Sequence, residues 1–309
     1  MKKAILILCF TFLLTSCSKN NDNSSYSQLP DSQNPTTSVS ASELDKDIPT
    51  NNSLPFDNDS TTDTTSKIPS VSQKLSDVDI SKLNTKKCGY GQGLRLDKDN
   101  RPYGALDFNS AFSKYDSYAI KEDDKKIVYL TFDQGYENGY TSKILDALKE
   151  KNVKATFFVL TDYVKRNPEL IKRMIDEGHT IGNHSVHHYS MPTLDINTSR
   201  KEITELHDYM QNEYNYTMYL FRPPMGEYSE QSLAVTQSCG YKTVLWSYAY
   251  ADWDTKKQME PSVALDKVSK AAHPGCIYLL HSVSATNASI LGNLIDNLKA
   301  EGYTFDIPQ

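Results

Sequence analysis

The sequence has no excess of basic residues and too few cysteines for a disulfide scaffold. Its 33 lysines and arginines stand against 39 aspartates and glutamates, a net charge of -6, which argues against a surface built to bind nucleic acid. Five cysteines at scattered spacings do not indicate a small disulfide-stabilised fold. The chain is also poor in apolar residues, with 38% hydrophobic residues and a mean hydropathy of -0.56. This deficit lies mainly in the first quarter of the chain.

The N-terminus has an apolar run that is too short to cross a bilayer. Residues 4–14 are mostly apolar, whereas a transmembrane helix needs about 20 such residues. The run follows Lys2 and Lys3 and precedes the sequence Leu-Thr-Ser-Cys ending at Cys17, an order that resembles a bacterial lipoprotein signal. We predict a signal peptide over residues 1–17, lipidation of Cys17 and an extracytoplasmic, membrane-anchored protein. An ordinary secretory signal with an incidental cysteine is the alternative.

Residues 18–85 show little hydrophobic periodicity. They are rich in Ser, Thr, Asn and Asp and contain prolines at positions 30, 35, 49, 55 and 69. Such a chain buries too little apolar surface to offset the entropy lost on ordering. We therefore predict a disordered tether between the anchor and a catalytic domain at residues 86–309. A tail with a function of its own is the alternative.

Residues 86–309 alternate between strand patterns and helix patterns. The predicted strands are 127–132, 155–160, 179–182, 218–221, 242–246 and 276–280. The predicted helices are 141–151, 168–177, 199–213, 230–238, 262–272 and 287–300. This alternation predicts a mainly parallel sheet with helices outside, either a barrel or a doubly wound sheet. In both folds the chemistry gathers beyond the C-terminal ends of the strands.

Side chains suited to chemistry follow five of these predicted strands. They are Asp133, Asn183 with His184, Arg222, Asp252 with Trp253, and His281. The strand-end rule therefore predicts that two carboxylates, two imidazoles and a guanidinium meet at one rim. Taken singly, each residue has a structural alternative. Asp133 fits a helix cap, Arg222 a structural ion pair, His281 a core histidine, and the Asp-Trp pair a capped, packed tryptophan.

His184 and His188 form an H-x3-H pair. This spacing predicts two imidazoles on one side of a helical turn, and zinc takes histidine nitrogens at about 2.0–2.1 Å. The position of the pair after a strand, opposite Asp133, favours a metal site. The alternative is a polar surface loop in which His187 or His188 has no special role.

Five ordered motifs resemble the polysaccharide deacetylases with NodB homology. They are residues 131–135, 184–188, 222–226, 252–253 and 279–281. The resemblance implies a distorted (β/α) barrel that hydrolyses the N-acetyl group of a glycan. The extended first motif, residues 131–141, is similar to the delta-lactam-biosynthetic branch, which acts on N-acetylmuramic acid in spore-cortex peptidoglycan. In that branch the freed amine cyclises onto the lactyl group after an amidase has removed the stem peptide.

The resemblance breaks at Gln134. The general family has a second Asp here, which supplies the third metal ligand, and the similar branch usually has Asn. Because Gln carries no charge, His184 and His188 would form a weak site unless Gln134, water or substrate completes it. The resemblance thus implies a divalent metal such as zinc, held by His184, His188 and Gln134.

The resemblance also implies a role for each motif residue. Asp133 would be the general base on water, held ionised by Arg222. His281, oriented by Asp252, would protonate the leaving amine. The substrate-binding residues it implies are Met225, through its backbone N–H, and Trp253 and Leu279 at the acetyl methyl group.

The implied partner is a peptidoglycan strand, reached from the lipid anchor after a muramoyl amidase has acted. If the protein is made during sporulation, it would lie between the forespore membranes. Two other functions remain open. One is a deacetylase of N-acetylglucosamine in peptidoglycan or chitin, and the other is a non-catalytic glycan-binding lipoprotein whose activity was lost with Gln134.

Overall fold

The computed structural model describes residues 80–122 and 125–309. The predicted signal peptide, Cys17 and nearly all of the predicted tether lie outside the described residues. The last tether residues are described, and they contact a helix of the domain. The Asn84 carbonyl accepts the Gln231 backbone N–H at 3.1 Å, and the Ile80 carbonyl accepts the Gln231 side chain at 3.0 Å. Among these described residues, no helix is both long and apolar enough to span a bilayer.

A curled, nine-stranded sheet forms the centre of the domain. The strands of the chain are β1 (Cys88–Gly89), β2 (Ser117–Tyr118), β3 (Ile127–Gln134), β4 (Thr156–Val159), β5 (Thr180–Asn183), β6 (Leu220–Phe221), β7 (Glu227–Tyr228), β8 (Lys242–Val244), β9 (Tyr248–Ala249), β10 (Cys276–His281) and β11 (Thr304–Phe305). The sheet order is β2-β8-β6-β5-β4-β3-β10-β9, with β11 also paired to β3. All of these pairings are parallel, whereas β1 and β7 form a separate antiparallel pair.

Helices return the chain between the parallel strands. They are α1 (Tyr103–Phe112), α2 (Thr141–Glu150), α3 (Thr161–Arg166), α4 (Pro168–Asp176), α5 (Ile196–Tyr214), α6 (Glu230–Ser238), α7 (Pro261–Lys270) and α8 (Ala285–Ala300). Several start at a side-chain cap. The Asp195 carboxylate accepts the first N–H groups of α5, and Ser229 forms a reciprocal capping box with Ser232 in α6. The result is the distorted (β/α) half-barrel that the sequence predicts.

Strand β3 is buried on both faces, which explains its nearly continuous apolar sequence. Val128, Leu130 and Phe132 pack into the core beneath the outer helices. Tyr129 points the other way and packs inside the curled sheet with residues of four other strands: Phe158, Leu220, Val244 and Ile277. Side chains therefore alternate between a helix-facing side and an inner side, as the period of two in a strand requires.

Candidate active site

Successive side chains of a strand point to opposite sides of the sheet, and this places three ionisable side chains on its inner side. Tyr129, Leu220 and Ile277 mark that inner side. Asp133, Arg222 and His281 follow them by even numbers of residues, so the same alternation directs them inward at the C-terminal ends. Asp133 and His281 are also register partners in the neighbouring strands β3 and β10. The structure therefore brings together the residues that the strand-end rule selected.

Asp133 is bound by a fully buried guanidinium. Arg222 Nη1 donates to Asp133 Oδ1 at 2.7 Å, and Arg222 is 0% exposed. Its Nε and Nη2 donate to the carbonyls of Val244 and Leu245 at 3.0 and 3.1 Å, which fixes the plane of the group. Burial by itself raises the pKa of Asp133, but the Arg222 charge and hydrogen bond, together with the neighbouring His184 and His281, outweigh burial and hold that pKa below its ordinary value. Asp133 is thus an ionised carboxylate at neutral pH.

His281 is paired with a second buried carboxylate. Its Nδ1 donates to Asp252 Oδ1 at 2.7 Å, and its backbone N–H donates to Oδ2 at 2.8 Å. Asn287 Nδ2 also donates to Asp252 Oδ2, at 2.6 Å. Burial lowers the pKa of His281, but the hydrogen bond and charge of Asp252, with help from Asp133, raise it above the ordinary value. The imidazole therefore stays protonated to a higher pH than a free histidine does.

The segment from His184 to His188 is a loop, so the predicted helical turn is wrong. Ser185 and His188 have positive φ angles of 78° and 61°, which no helix contains. The loop is held by its own polar groups, because Ser185 N–H donates to Asn183 Oδ1 and His188 N–H donates to Ser185 Oγ. The two imidazoles nevertheless meet, with ring centroids 5.0 Å apart.

The two imidazoles offer nitrogen ligands for a divalent metal. His184 Nδ1 lies 2.8 Å from the Arg222 carbonyl oxygen, so Nδ1 carries the hydrogen and Nε2 has a free lone pair. Burial lowers the pKa of His184 to about 4 and that of His188 below its ordinary value, which leaves both rings neutral.

Gln134 supplies a third potential ligand atom. Its Nε2 donates to Ser282 Oγ at 2.7 Å, and its buried Oε1 has no partner in the described part of the chain. Within residues 80–122 and 125–309, no group of three His, Cys, Asp or Glu could hold a metal. The two imidazoles are therefore the donors that the structure brings together, and Gln134 lacks the charge that an aspartate would add.

The turn after β6 has an unusual backbone at Met225. This residue has φ +59°, in the left-handed region that non-glycine residues rarely adopt outside functional turns, and its side chain is 54% exposed. The next residue, Gly226, has φ +64°, and a Cβ there would lie 2.7 Å from the Trp246 ring. Glycine at position 226 is therefore needed for this turn to approach Trp246.

The other two predicted substrate residues lie beside the His281 pair. Leu279 is 7% exposed and lies two residues before His281 in β10, on the same inner side. Trp253 follows Asp252 directly and is 59% exposed. Leu279 therefore lies in the wall of the site, and the Trp253 ring is exposed at its edge.

Three residues near the site have no sequence signal. Ser282 binds the Gln134 amide, and Asn287 binds Asp252 and also the His281 carbonyl at 3.2 Å. Glu202 of α5, 4% exposed, accepts the His187 backbone N–H and pairs with His187 Nδ1 at 2.6 Å. These contacts depend on how helices pack on the sheet, and no spacing rule finds them.

The chain is similar in sequence to proteins of known activity. A family model described as polysaccharide deacetylase matches residues 120–244. The peptidoglycan-N-acetylmuramic acid deacetylase PdaA of Bacillus subtilis is 47% identical over 209 residues, which cover 66% of this chain and 78% of that protein. The chain belongs to the polysaccharide deacetylase family.

Solved structures of polysaccharide deacetylases agree with the fold. The structure of B. subtilis PdaA, a family 4 carbohydrate esterase, has a TM-score of 0.69 and 42% identity, covering 72% of this chain and 95% of that one. A family 4 carbohydrate esterase from Bacillus anthracis has a TM-score of 0.60 and 36% identity, covering 73% and 95%. As a polysaccharide deacetylase, the chain is a hydrolase acting on the C–N bond of a glycan acetamide. Family members generally use a divalent metal.

Proposed function

We propose that this deacetylase removes the acetyl group from N-acetylmuramic acid in peptidoglycan. The proposal depends on two residues that are register partners at the C-terminal ends of β3 and β10, which form the mouth of the half-barrel. Asp133 is ion-paired with Arg222, and His281 is ion-paired with Asp252. Such a site holds a base and an acid on two sides of one small group. The similarity to a relative named for N-acetylmuramic acid supports the choice of sugar.

Asp133 acts as the general base. Its carboxylate is ionised because Arg222 holds its pKa low, and Arg222 occupies only Oδ1. Oδ2 remains on the side of His184, 3.6 Å from Nε2, where it can accept a proton from water. The hydroxide formed in this way attacks the acetamide carbonyl carbon, and a tetrahedral oxyanion results.

His281 acts as the general acid. The tetrahedral intermediate collapses when the C–N bond breaks, and the leaving nitrogen takes the proton from His281 Nε2 while Nδ1 stays bound to Asp252. The products are acetate and the free sugar amine. Asp133 then releases the proton that it took from water and His281 regains the proton that it gave away, so the cycle consumes one water and needs no other reactant.

We infer that the backbone N–H of Met225, in the left-handed turn after β6, stabilises the oxyanion. His184, His188 and the Gln134 amide oxygen would hold a divalent metal, with zinc as the candidate. When bound, that ion polarises the acetamide carbonyl. The chain's own residues supply the base, the acid and the orientation of the sugar.

We also propose where the protein acts in the cell and what becomes of its product. We infer that the protein is held at the membrane by lipid on Cys17 and acts on glycan from which an amidase has removed the stem peptide. The amine then closes onto the lactyl group to give muramic delta-lactam in the spore cortex. These steps are supported by the N-terminal sequence and by the extended first motif, residues 131–141.

Product analysis tests the choice of sugar. Peptide-free glycan strands are incubated with the full-length protein and analysed by mass spectrometry after digestion. We expect muramic residues to lose their acetyl groups, with glucosamine residues unchanged. Deacetylated glucosamine beside intact N-acetylmuramic acid would replace the proposal with the N-acetylglucosamine activity, and the absence of both would favour a non-catalytic binding protein.

A further inference from the structure

A cleft of about 260 Å³ opens beside the Met225 turn. Its walls include Gly89 of β1, Gly91 just after it, Asp107, Phe108 and Phe112 of α1, and Tyr228 of β7. We propose that this cleft binds a neutral sugar ring of the same glycan strand, next to the residue that is deacetylated. The inference rests on the proposed function, because it adds a neighbouring subsite to that site.

The segment that lines the cleft is hydrogen-bonded to the Met225 turn. Tyr90 N–H donates to the Gly226 carbonyl at 2.9 Å, and Gly226 follows Met225 directly. Tyr228, in the wall of the cleft, is three residues from Met225, and three extended residues span at most about 11 Å. The cleft therefore lies beside the turn that leads from Arg222, the partner of Asp133, into β7.

The lining of the cleft suits a neutral sugar. Tyr228 meets Phe108 and Phe112 edge to face, with centroids 5.2 Å apart in both pairs. Phe108 is 4% exposed and supports the wall from within, whereas Phe112 and Tyr228 are half-buried. Aromatic faces carry partial negative charge, so the exposed parts of the Phe112 and Tyr228 rings can attract the C–H groups on the flat side of a pyranose ring. Asp107 is exposed at the wall, where its carboxylate can accept sugar hydroxyl hydrogens and would repel the lactyl carboxylate of a second muramic residue.

The cleft is built largely by a part of the chain outside the family model. That model begins at residue 120, whereas all the lining residues except Tyr228 come before it. This earlier segment is fixed to the site by the β1–β7 pairing and by an ion pair of Lys87 with Glu227 at 2.6 Å. The walls of the neighbouring subsite therefore come mainly from residues that precede the matched family model.

Two glycines allow the cleft to be filled without disturbing the backbone. A Cβ added at Gly89 or at Gly91 meets no atom within 4 Å, and neither residue has a positive φ. Gly91→Trp therefore places an indole in or over the cleft, and Gly89→Leu narrows it from the other side. Leu94→Trp is the matched control, because Leu94 is 99% exposed in the same segment and does not line the cleft.

Binding is measured by calorimetry with full-length protein carrying Asp133→Asn, so that no ligand is turned over. The ligands are N-acetylmuramic acid and a peptide-free tetrasaccharide of alternating N-acetylglucosamine and N-acetylmuramic acid. We expect Gly91→Trp and Gly89→Leu to weaken tetrasaccharide binding about tenfold relative to Leu94→Trp, a change of about 1.4 kcal/mol, with binding of the single sugar unchanged. Thermal melts confirm that each variant is folded.

Equal tetrasaccharide affinity in the glycine variants and in Leu94→Trp would overturn the proposal. A loss seen only with glycan that carries stem peptides would also overturn it, because the peptide would then be the occupant. Failure of the proposed function looks different. In that case the unsubstituted protein releases no acetate from either glycan, while the binding difference between the variants remains measurable.

Discussion

At the residue scale, two carboxylates in the same mouth have opposite tasks because their partners differ. Asp133 faces a guanidinium that cannot give up its proton under working conditions, so the pair stays ionic and the pKa of Asp133 stays low. Asp252 faces an imidazole, and its charge raises the pKa of His281. A site tuned in this way holds a deprotonated base and a protonated acid at the same pH.

This pairing predicts the pH profile of Asp252→Asn. The basic limb of kcat/KM reports loss of the His281 proton, and it lies above the ordinary histidine pKa because Asp252 and Asp133 outweigh burial and Arg222. Removing the Asp252 charge lets burial dominate, so the pKa of His281 falls and the basic limb moves to lower pH. Rates measured across the neutral range check this, and an unmoved limb would show that another group is the acid.

Asn287 is expected to position the acid pair without touching substrate. Asn287→Leu keeps the volume but removes the Nδ2 donor to Asp252, which leaves a buried acceptor short of a partner at a cost of about 1–3 kcal/mol. We expect kcat to fall with KM unchanged and the basic limb to shift. Tyr250→Phe is the control, because Tyr250 bonds only the Asn287 oxygen. Equal kinetics in the two variants would contradict the positioning role.

At the element scale, helix α5 holds the histidine loop in its non-helical shape. Glu202 accepts from the His187 backbone and pairs with its ring, and the Glu202 carbonyl accepts the Val186 N–H at 3.1 Å. Two positive φ angles in this loop cost energy, which these contacts offset. The spacing of His184 and His188 is useful because α5 imposes this geometry.

Glu202→Ala should therefore loosen the metal site more than it harms the fold. We expect weaker zinc binding by calorimetry, because His184 and His188 are no longer held together, and a loss of stability of about 1–3 kcal/mol. Glu205→Ala, at an exposed position of the same helix, should change neither. Unchanged zinc affinity in Glu202→Ala would mean that the loop keeps its shape without α5.

The long elements follow from sequence patterns, and the short ones do not. All six predicted strands and all six predicted helices are present, although α5 begins at Ile196, three residues before the prediction. The missed strands β1, β2, β7, β9 and β11 have two residues each. They exist because distant partners pair with them, as Thr304 pairs with Ile127, and a local pattern carries no such information. Helices α1 and α3 were also missed. Helix α1 follows Pro102 without a capping side chain, and α3 has only 6 residues and no capping side chain.

At the scale of the whole molecule, the strand-end rule and the motifs predicted which residues meet, but not how their partners hold them. Asp133, Arg222, Asp252 and His281 lie where the parallel topology places them. The Gln134–Ser282 contact could not be foreseen, because it depends on the register between β3 and β10. The same limit applies to the aromatic cleft, which needs α1 and the β1–β7 pair together.

Cys17 lies outside the described residues, and its lipidation stays a prediction from the sequence. Cys17→Ala should abolish incorporation of labelled fatty acid and move the protein from the membrane fraction to the soluble fraction, because each buried acyl CH₂ contributes about 0.8 kcal/mol to anchoring. Fractionation of cells that express each form checks this. Labelling that persists in Cys17→Ala would place the anchor elsewhere.

The central claim is that Asp133 is the base that activates water at this mouth, and acetate release by Asp133→Asn tests it most directly. The substitution keeps the shape and leaves an acceptor oxygen for Arg222, but removes the charge that takes the proton. We expect acetate release from peptide-free muramyl glycan to fall by about 10²–10⁴-fold, with the circular dichroism spectrum unchanged. Release at the rate of the unsubstituted protein would contradict the account.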